Sequence, residues 1–456
     1  MSNSNSLTDD LPETPIAEAP DAVALPVDAL TGEAADAGEA AVAEDTIPAP
    51  ARPPQSLRPA GGLRIEKLVY GGSGLARHES RVYLMPKVAP GDLVDIEPVK
   101  SKANFIEGVV TRIAEPSPDR VPAPCIYFDR CGGCDYQQLS YDTQLHWKRE
   151  IVRELFTRAK LNLGVEIETL SAEPFGYRNR SQFHFHDGRV GFRMEGSHKL
   201  VPVKSCSISS PKINEVLTVL DRIAKDHRFP KFLKSLEIFT NETDVQFNVV
   251  ETHAPIAKHF FDWLAKEVPG VKDGAIPYQA AGYEWKVSYR SFFQVNRFLI
   301  DAMTALTVKD SHGAHAIDLY AGVGLFSLPL SKHFDRVTAV ESGKVAMYDL
   351  EANSKRYGVQ NVRIVQANVD AYLTDLQEAP DVILADPPRS GLGKVAVEQL
   401  ARVKAPELRI VSCDPSTLVR DLAVLLAAGY RIEEMTLIDL FPQTYHIETL
   451  TKLRLG

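Results

Sequence analysis

One cysteine of this chain stands where an apolar strand pattern meets the start of a helix. Cys413 lies in RIVSCDPSTL (409–418), and the Asp-Pro-Ser-Thr that follows it predicts a helix with proline at its first position. A thiol at a helix N-terminus lies near the positive end of the helix dipole, which lowers its pKa, whereas the adjacent Asp414 opposes that shift. The segment alone is typical of either a nucleophile or a buried structural cysteine.

A candidate proton acceptor lies near the end of the chain. Glu448 belongs to FPQTYHIETL (441–450), early in the last predicted strand. The order of a doubly wound sheet would bring this strand to the same edge as Cys413, and a thiolate beside a carboxylate forms a nucleophile and a general base. His446 is a competing base, which we rank below Glu448.

A glycine turn indicates a ligand site. The run AIDLYAGVGLFSLPL (316–330) joins a strand to a turn in which Gly322 and Gly324 let a ligand approach the backbone. Glu341 ends the next predicted strand, where a carboxylate can accept hydrogen bonds from ribose hydroxyls. Such a site suits either a dinucleotide or S-adenosylmethionine.

Three features favour S-adenosylmethionine. Position 327 is Ser, whereas the dinucleotide fingerprint requires a third Gly. Asp318 precedes the glycine turn, and Asp386 begins an Asp-Pro-Pro-Arg motif at the end of the fourth strand. Methylases that act on amino nitrogens usually place an aromatic residue after the two prolines, and this chain has Arg389 there. A nicotinamide-dependent oxidoreductase on the same sheet remains the alternative.

These groups suit methylation of a pyrimidine ring. Carbon 5 of uracil cannot attack a methylsulfonium unaided, but a thiolate that adds to carbon 6 makes carbon 5 nucleophilic. Cys413 would be that nucleophile, Glu448 would remove the proton from carbon 5, and Asp386 could orient the uracil or the methyl donor. The target base must leave its stack to reach such a pocket, so the substrate would be a flipped base or a single-stranded loop.

The charge of the chain is unevenly distributed. The formal net charge is −9, but residues 1–57 alone carry −10, which leaves the remainder near +1. This acidic segment has no aromatic residue and cannot bury enough apolar surface to fold, so we predict a disordered tail. No signal peptide or membrane-spanning run is evident, and we expect a cytoplasmic protein with no membrane attachment and no obligatory protein partner.

The patterning predicts three folded parts. Residues 58–118 have short alternating runs that predict a compact β-barrel, in which basic side chains mixed with aromatic ones suit RNA binding. Residues 119–290 predict a small α+β central domain that includes a helix at about 140–160. Residues 291–456 alternate helices with apolar strands, which predicts a doubly wound, Rossmann-like α/β domain.

Four cysteines of the central part have spacing that suits a metal site. Cys125, Cys131 and Cys134 follow a C-x5-C-x2-C pattern, and Cys206 comes much later. An intracellular chain of this size is not expected to use a disulfide framework. Four thiolates suit a structural zinc or an iron–sulfur cluster equally well, and from the spacing zinc is at least as good.

Several motifs resemble the RNA uracil-5-methyltransferase family. They are SFFQVN (291–296), DLYAGVGLFSLPL (318–330), VES (340–342), LADPPRSG (384–391), SCDPSTLVRDL (412–422) and DLFPQTYHIE (439–448). The resemblance implies that S-adenosylmethionine is contacted by Gln294, Tyr320, Glu341, Asn368 and Asp386. Cys413 and Glu448 match the nucleophile and the base of the family.

The resemblance also bears on the N-terminal half. Residues from 62 to about 118 are similar to the family's TRAM barrel. Similarity to family members that have CGGC, here at 131–134, and a distant fourth cysteine implies a [4Fe-4S] cluster, with zinc as the less favoured ion. Family members that have both the TRAM barrel and the four cysteines look most like the enzymes that act on large-subunit ribosomal RNA. The expected RNA partner is therefore rRNA, with tRNA as the second candidate. A non-catalytic iron–sulfur protein that binds RNA is a further alternative.

Overall fold

Three β-sheets of five or more strands organise residues 59–456, the part of the chain that the computed structural model describes. The predicted acidic tail, residues 1–57, lies outside these described residues. Across 59–456, none of the helices combines the length and apolar character needed to cross a bilayer.

The first sheet has six strands in the order β1-β5-β6-β4-β3-β2. Its strands are β1 (Ala60–Arg64), β2 (Lys67–Leu68), β3 (Ser73–His78), β4 (Arg81–Pro86), β5 (Leu93–Ser101) and β6 (Ile106–Glu115). Alternate residues point inward, as the period of a strand requires, so that Tyr83 and Met85 of β4 meet Val94 and Ile96 of β5 in one apolar core. The aromatic ring of Tyr83 is therefore buried rather than offered to a nucleic acid.

The middle of the chain forms a five-stranded sheet in the order β10-β9-β8-β11-β12. The elements from here to the C-terminal domain are α1 (Tyr141–Arg158), β7 (Ile167–Leu170), β8 (Arg180–His186), β9 (Arg189–Arg193), β10 (Leu200–Pro202), α2 (Pro211–Ile223), β11 (Leu233–Thr240), β12 (Val245–Thr252), α3 (Lys258–Glu267), β13 (Ile276–Ala280) and β14 (Tyr283–Val287). Helix α2 begins where Ser210 caps it ahead of Pro211, and it buries Val216 and Leu220 against the sheet.

The C-terminal part forms an eight-stranded sheet in the order β17-β16-β15-β18-β19-β21-β20-β7. Its elements are α4 (Ile300–Val308), β15 (Gly313–Leu319), α5 (Ser327–Leu330), β16 (Phe334–Glu341), α6 (Lys344–Arg356), β17 (Val362–Gln366), α7 (Val369–Asp375), β18 (Val382–Ala385), α8 (Gly393–Val403), β19 (Glu407–Ser412), α9 (Pro415–Ala427), β20 (Tyr430–Ile438) and β21 (Glu448–Leu455). The predicted doubly wound, mostly parallel sheet is confirmed. The strand order reverses between β15 and β18, and in such sheets ligands bind at that point.

Both faces of the eight-stranded sheet are covered. Ile317 and Leu319 of β15 point into one apolar core, whereas Ala316 points into the core on the opposite face. Because both faces are buried, the strands carry runs of apolar residues, and these runs are the pattern from which they were predicted.

Helix α1 and strand β7 come from the segment predicted as the central domain but pack with the C-terminal sheet. The predicted helix at about 140–160 is confirmed as α1, which Ser140 caps by accepting a hydrogen bond from the Thr143 amide. Its buried Val152 and Phe156 belong to the same apolar core as Leu418 of α9. Strand β7 pairs in parallel with β20 at the edge of the large sheet.

A buried ion pair ties α1 to the end of β20. The Lys148 ammonium lies 2.6 Å from a carboxylate oxygen of Asp439, and neither side chain is exposed. The same ammonium donates to the Phe441 carbonyl at 3.0 Å. Removing one member of a buried pair leaves the other charge without compensation, which is far costlier than losing an exposed pair.

We expect Lys148→Met to lower the free energy of unfolding by about 3–5 kcal/mol, because Asp439 would stay buried without its partner. The double variant Lys148→Met with Asp439→Leu should recover most of this loss. Arg153→Ala, which removes the ion pair with the exposed Glu166, is the control and should cost about 1 kcal/mol or less. Denaturant unfolding measures all three, and equal losses for Lys148→Met and Arg153→Ala would contradict the buried-pair account.

Candidate active site

The register of the large sheet brings Cys413 close to Glu448. Strand β19 pairs antiparallel with β21 as far as Ser412 and Thr449. Cys413 directly follows Ser412, Glu448 directly precedes Thr449, and the charge of Glu448 acts on the Cys413 thiol. Glu448 is buried, whereas Cys413 is half-buried. The two residues singled out as nucleophile and base are therefore neighbours, although they are far apart in the sequence.

Asp386 lies beside this pair. It directly follows β18, and its amide donates to the Leu319 carbonyl at the end of β15, at 3.4 Å. Its carboxylate accepts a hydrogen bond from the amide group of Gln294 at 3.3 Å. Asp386 and Gln294 therefore meet at the point where the strand order reverses.

Burial raises the pKa of all three acidic groups of the site, and the carboxyls add to the shift of Cys413. Burial, and then the nearby carboxyls of Glu448 and Asp386, raise the pKa of the Cys413 thiol to about 12, while Arg389 acts in the opposite direction. Burial raises the pKa of Asp386 to about 7. Burial and the Asp386 charge also raise the pKa of Glu448 well above its usual value. The Cys413 thiol of this structure is therefore protonated at neutral pH.

Burial outweighs the lowering of the Cys413 pKa that its position before a helix suggested. Asp414 caps α9, and its carboxylate accepts the amides of Ser416 and Thr417 at 2.9 and 3.1 Å. The first amides of the helix are thus satisfied by a carboxylate, whose negative charge offsets the dipole near the thiol. Burial then dominates the pKa of Cys413.

Arg389 is a member of the site that the sequence reasoning did not select. Its guanidinium lowers the pKa of both Cys413 and Glu448, and it donates to the Nε2 atom of His446 at 3.4 Å. Burial and the Arg389 charge lower the pKa of His446 to about 3, so the imidazole is neutral and acts as an acceptor. His446 is accordingly a weak candidate for the base. The position of Arg389 directly after the two prolines of the Asp-Pro-Pro-Arg motif is the sequence feature from which this residue could have been selected.

Tyr70 reaches the site from the six-stranded sheet, and no local pattern predicted this. Its hydroxyl donates to the second carboxylate oxygen of Asp414 at 2.9 Å, and its ring packs edge-on against Tyr445. The N-terminal sheet therefore contacts the residue next to Cys413.

The glycine turn is held by Glu341. One carboxylate oxygen accepts the Gly322 amide at 2.9 Å, and the other accepts the Gly343 amide at 2.5 Å. A Cβ added at Gly322 would meet open space, so a ligand can approach the backbone there. Gly324 has no such open space, because a Cβ added there would lie 2.3 Å from the side chain of Leu350.

The remaining predicted ligand contacts lie at the ends of β15 and β17. Tyr320 follows β15 with φ of 60°, a strained backbone for a residue that is not glycine, and strain of this kind is concentrated at functional sites. Asn368 follows β17 and is exposed, and its side chain caps α7 by accepting the Asp370 amide at 2.9 Å. Asp318 is fully buried and accepts a hydrogen bond from Ser327 at 2.5 Å, and burial raises its pKa to about 7.

The four other cysteines line one cavity of about 220 Å³, separate from Cys413. They are Cys125, Cys131, Cys134 and Cys206. Burial raises the pKa of Cys131 to about 11, and the neighbouring Cys206 and Cys125 add to the shift. Within residues 59–456, no three side chains of the usual ligand types are arranged to hold a single metal ion.

Comparisons with known proteins identify the family of this chain. The family model described as tRNA (uracil-5-)-methyltransferase matches residues 274–454. An RNA methyltransferase of Thermotoga maritima is 32% identical over 86% of this chain and 99% of its own length. The 23S rRNA (uracil(1939)-C(5))-methyltransferase RlmD of Shewanella amazonensis is 30% identical over 86% of this chain and 95% of its own length.

A solved structure shares the fold. The tRNA (uracil-54, C5)-methyltransferase of Pyrococcus abyssi, in complex with S-adenosyl-L-homocysteine, superposes with a TM-score of 0.68 at 23% identity, covering 86% of this chain and 100% of that one. The fold is thus that of an α/β methyltransferase. The chain belongs to the RNA uracil-5-methyltransferase family, and this membership disfavours the nicotinamide-dependent oxidoreductase.

We expect alkylation of Cys413 by iodoacetamide to rise roughly tenfold per pH unit up to at least about pH 9, because only the thiolate reacts and burial holds the pKa high. Removing the nearby cation by Arg389→Gln should slow the reaction near pH 8 by about three- to tenfold. Peptide mass spectrometry would report Cys413 separately from the other cysteines. Arg420→Gln is the matched control, and a plateau in the wild-type rate below about pH 8 would contradict the raised pKa.

Proposed function

We propose that this enzyme methylates carbon 5 of a uridine in 23S rRNA through a covalent adduct between Cys413 and carbon 6 of the uracil. The observation that carries the proposal is the juxtaposition of Cys413 with Glu448 across the β19–β21 register, beside Asp386. A thiol and a buried carboxyl at one strand end form a nucleophile and base pair suited to this chemistry.

In the first step the Cys413 thiol gives its proton to the Asp386 carboxylate, and the sulfur adds to carbon 6 of the uracil, which gives an enolate with a nucleophilic carbon 5. Carbon 5 attacks the methyl group of S-adenosylmethionine, whose carbon–sulfur bond breaks to release S-adenosylhomocysteine. Glu448, in its carboxylate form, then removes the hydrogen on carbon 5. The electrons of that C–H bond form the carbon 5–carbon 6 double bond as the carbon–sulfur bond breaks, which frees the product and Cys413. Asp386, with a pKa near 7, can accept or release a proton at physiological pH.

The methyl donor is S-adenosylmethionine, which supplies an electrophilic methyl group and a positive charge. We propose that Gln294, Tyr320, Glu341 and Asp386 hold it, with Asn368 at the neighbouring strand end. The open space at Gly322 and the carboxylate of Glu341 at the end of β16 fit such a ligand. A buried Gln294 amide that already engages Asp386 would connect the donor side of the site to the uracil side.

RNA binding is supported by a groove of about 990 Å³ along the five-stranded sheet. Its lining includes Arg189, Arg193, Lys199 and Lys234 together with three histidines, against the acidic Asp187 and Glu251. Cations along a groove can track the phosphates of an RNA strand. We propose that residues 58–118, as a TRAM barrel, and the central domain 119–290 present the RNA to the catalytic domain 291–456. Ribosomal RNA is favoured over tRNA because relatives similar along most of the chain act on 23S rRNA.

We propose that the cysteine cavity holds a [4Fe-4S] cluster bound by Cys125, Cys131, Cys134 and Cys206. The four cysteines line one cavity of about 220 Å³. The preference for a cluster over zinc rests on the resemblance of CGGC (131–134) with a distant fourth cysteine to family members that carry a cluster. The cluster would have a structural role, and Cys413 does not line its cavity.

Trapping with fluorinated RNA tests the catalytic proposal. We expect the wild-type enzyme, given S-adenosylmethionine and 23S rRNA fragments that contain 5-fluorouridine, to form an adduct that survives a denaturing gel, because fluorine cannot leave as a cation. Cys413→Ala should form no adduct and should lose methyl transfer by about 10⁴-fold or more. Glu448→Gln should accumulate an adduct even with unmodified RNA, because the proton on carbon 5 stays in place.

The same assay separates the possible substrates. Methylation of tRNA but not of 23S rRNA would overturn the choice of RNA and leave the chemistry intact. Methylation at a ring nitrogen or a ribose oxygen, with no trapped adduct, would overturn the chemistry itself.

Metal analysis of anaerobically purified protein tests the cluster. We expect about four irons and about four sulfides per chain, with loss of both in Cys206→Ser. The cysteine outside this cavity provides the control, because Cys413→Ser should retain the full iron content. Stoichiometric zinc without sulfide would contradict the cluster.

A further inference from the structure

The loop between β20 and β21, residues 439–447, leads directly into Glu448. Ile438 and Glu448 pair across the two ends of this loop, so its shape sets where Glu448 lies. Gln443 at its centre is buried with φ of 69°, a strained conformation for a residue other than glycine, which persists only where the surroundings hold it. The loop must therefore be held from outside.

Residues near the cysteine cavity hold the centre of this loop. The amides of Asp135 and Tyr136 both donate to the Gln443 carbonyl, at 2.9 and 3.0 Å. These two residues directly follow Cys134, one of the four thiols that line the cavity. The cysteine-bearing segment thus provides hydrogen-bond donors that the loop does not supply for itself.

The side chains of Asp135 and Gln144 also hydrogen-bond to the loop of residues 439–447. The Asp135 carboxylate accepts the Tyr445 amide at 3.0 Å. The Gln144 side chain accepts the Gln443 amide and donates to the Gln443 side-chain oxygen, both at 3.0 Å. Gln144 is fully buried on α1, so these bonds are made away from water, where unpaired groups are costly.

We propose that Asp135 and Gln144 are positioning residues that hold residues 439–447, so that the segment carrying Cys131 and Cys134 determines the placement of Glu448 against Cys413. The inference rests on the proposed role of Glu448 as the base. The cysteine site would then affect the position of Glu448 as well as the stability of the central domain. Disturbing that segment should impair proton removal from the methylated adduct more than RNA binding.

The test uses the full-length enzyme with unmodified 23S rRNA fragments. We expect Asp135→Ala to lower kcat by about 10²-fold, the effect of a displacement of about 1 Å, with little change in the KM for RNA. The covalent RNA–protein adduct should accumulate, as in Glu448→Gln. Asp135→Asn keeps an oxygen that can accept the Tyr445 amide, and it should restore most of the turnover.

Hydrogen exchange gives a readout that does not depend on turnover. The amides of residues 443–446 should exchange faster in Asp135→Ala and in Gln144→Ala, while those of residues 322–330 at the glycine turn stay unchanged. Asp129→Ala, which alters an exposed aspartate of the same segment, is the matched control and should leave exchange and kcat unchanged.

The two proposals fail in different ways. If the wild-type enzyme forms no adduct with fluorinated RNA, the role of Cys413 and Glu448 fails. If the wild-type enzyme and Glu448→Gln behave as expected but Asp135→Ala raises KM with kcat unchanged, or leaves exchange at residues 443–446 unchanged, the positioning inference alone fails. Equal impairment of Asp135→Asn and Asp135→Ala would also overturn it.

Discussion

Burial of three neighbouring acidic groups is the constraint on which the site depends, and the guanidinium of Arg389 acts against its effect. Burial raises the pKa of Cys413, Asp386 and Glu448. The two carboxyls raise the pKa of Cys413 further and Asp386 raises that of Glu448, while Arg389 lowers the pKa of Cys413 and Glu448. Such an arrangement is costly for any fold that has no use for it, because buried groups of like charge retain protons against their usual pKa. A cationic methyl donor is the kind of ligand whose charge relieves this repulsion, and the strand order places the acids where such a ligand would bind.

The rest of the site is held by contacts between segments that are distant in the chain. Glu341 fixes the glycine turn through two backbone amides, and Gln294 reaches Asp386 from a segment that precedes the large sheet. Tyr70 contacts Asp414 from the N-terminal sheet. Each contact joins the candidate site to a different part of the chain, so the N-terminal sheet and the segment before β15 support the same site as the large sheet.

The sequence predicted the regular part of this fold well. Strands β15 to β21 were recognised from short apolar runs, because a sheet that is buried on both faces favours apolar residues in its strands. Helix α9 was recognised from its proline and from Asp414, which act within one turn. These signals are local, so they can be recognised without knowledge of the fold. The pairing of β7 with the large sheet was missed, because the sequence of a four-residue edge strand does not indicate which strand it pairs with.

The sequence by itself determined which residue types could do the chemistry: a cysteine before a capped helix, a carboxylate in the last strand, and four cysteines of suitable spacing. Only the tertiary structure decided their environment. The register of β19 and β21 set Cys413 against Glu448, and burial then raised the pKa of the thiol that the helix dipole alone would have lowered. It also brought Asp135 and Gln144 to Gln443. Desolvation and long-range contacts depend on everything that surrounds a group, and no local pattern encodes them.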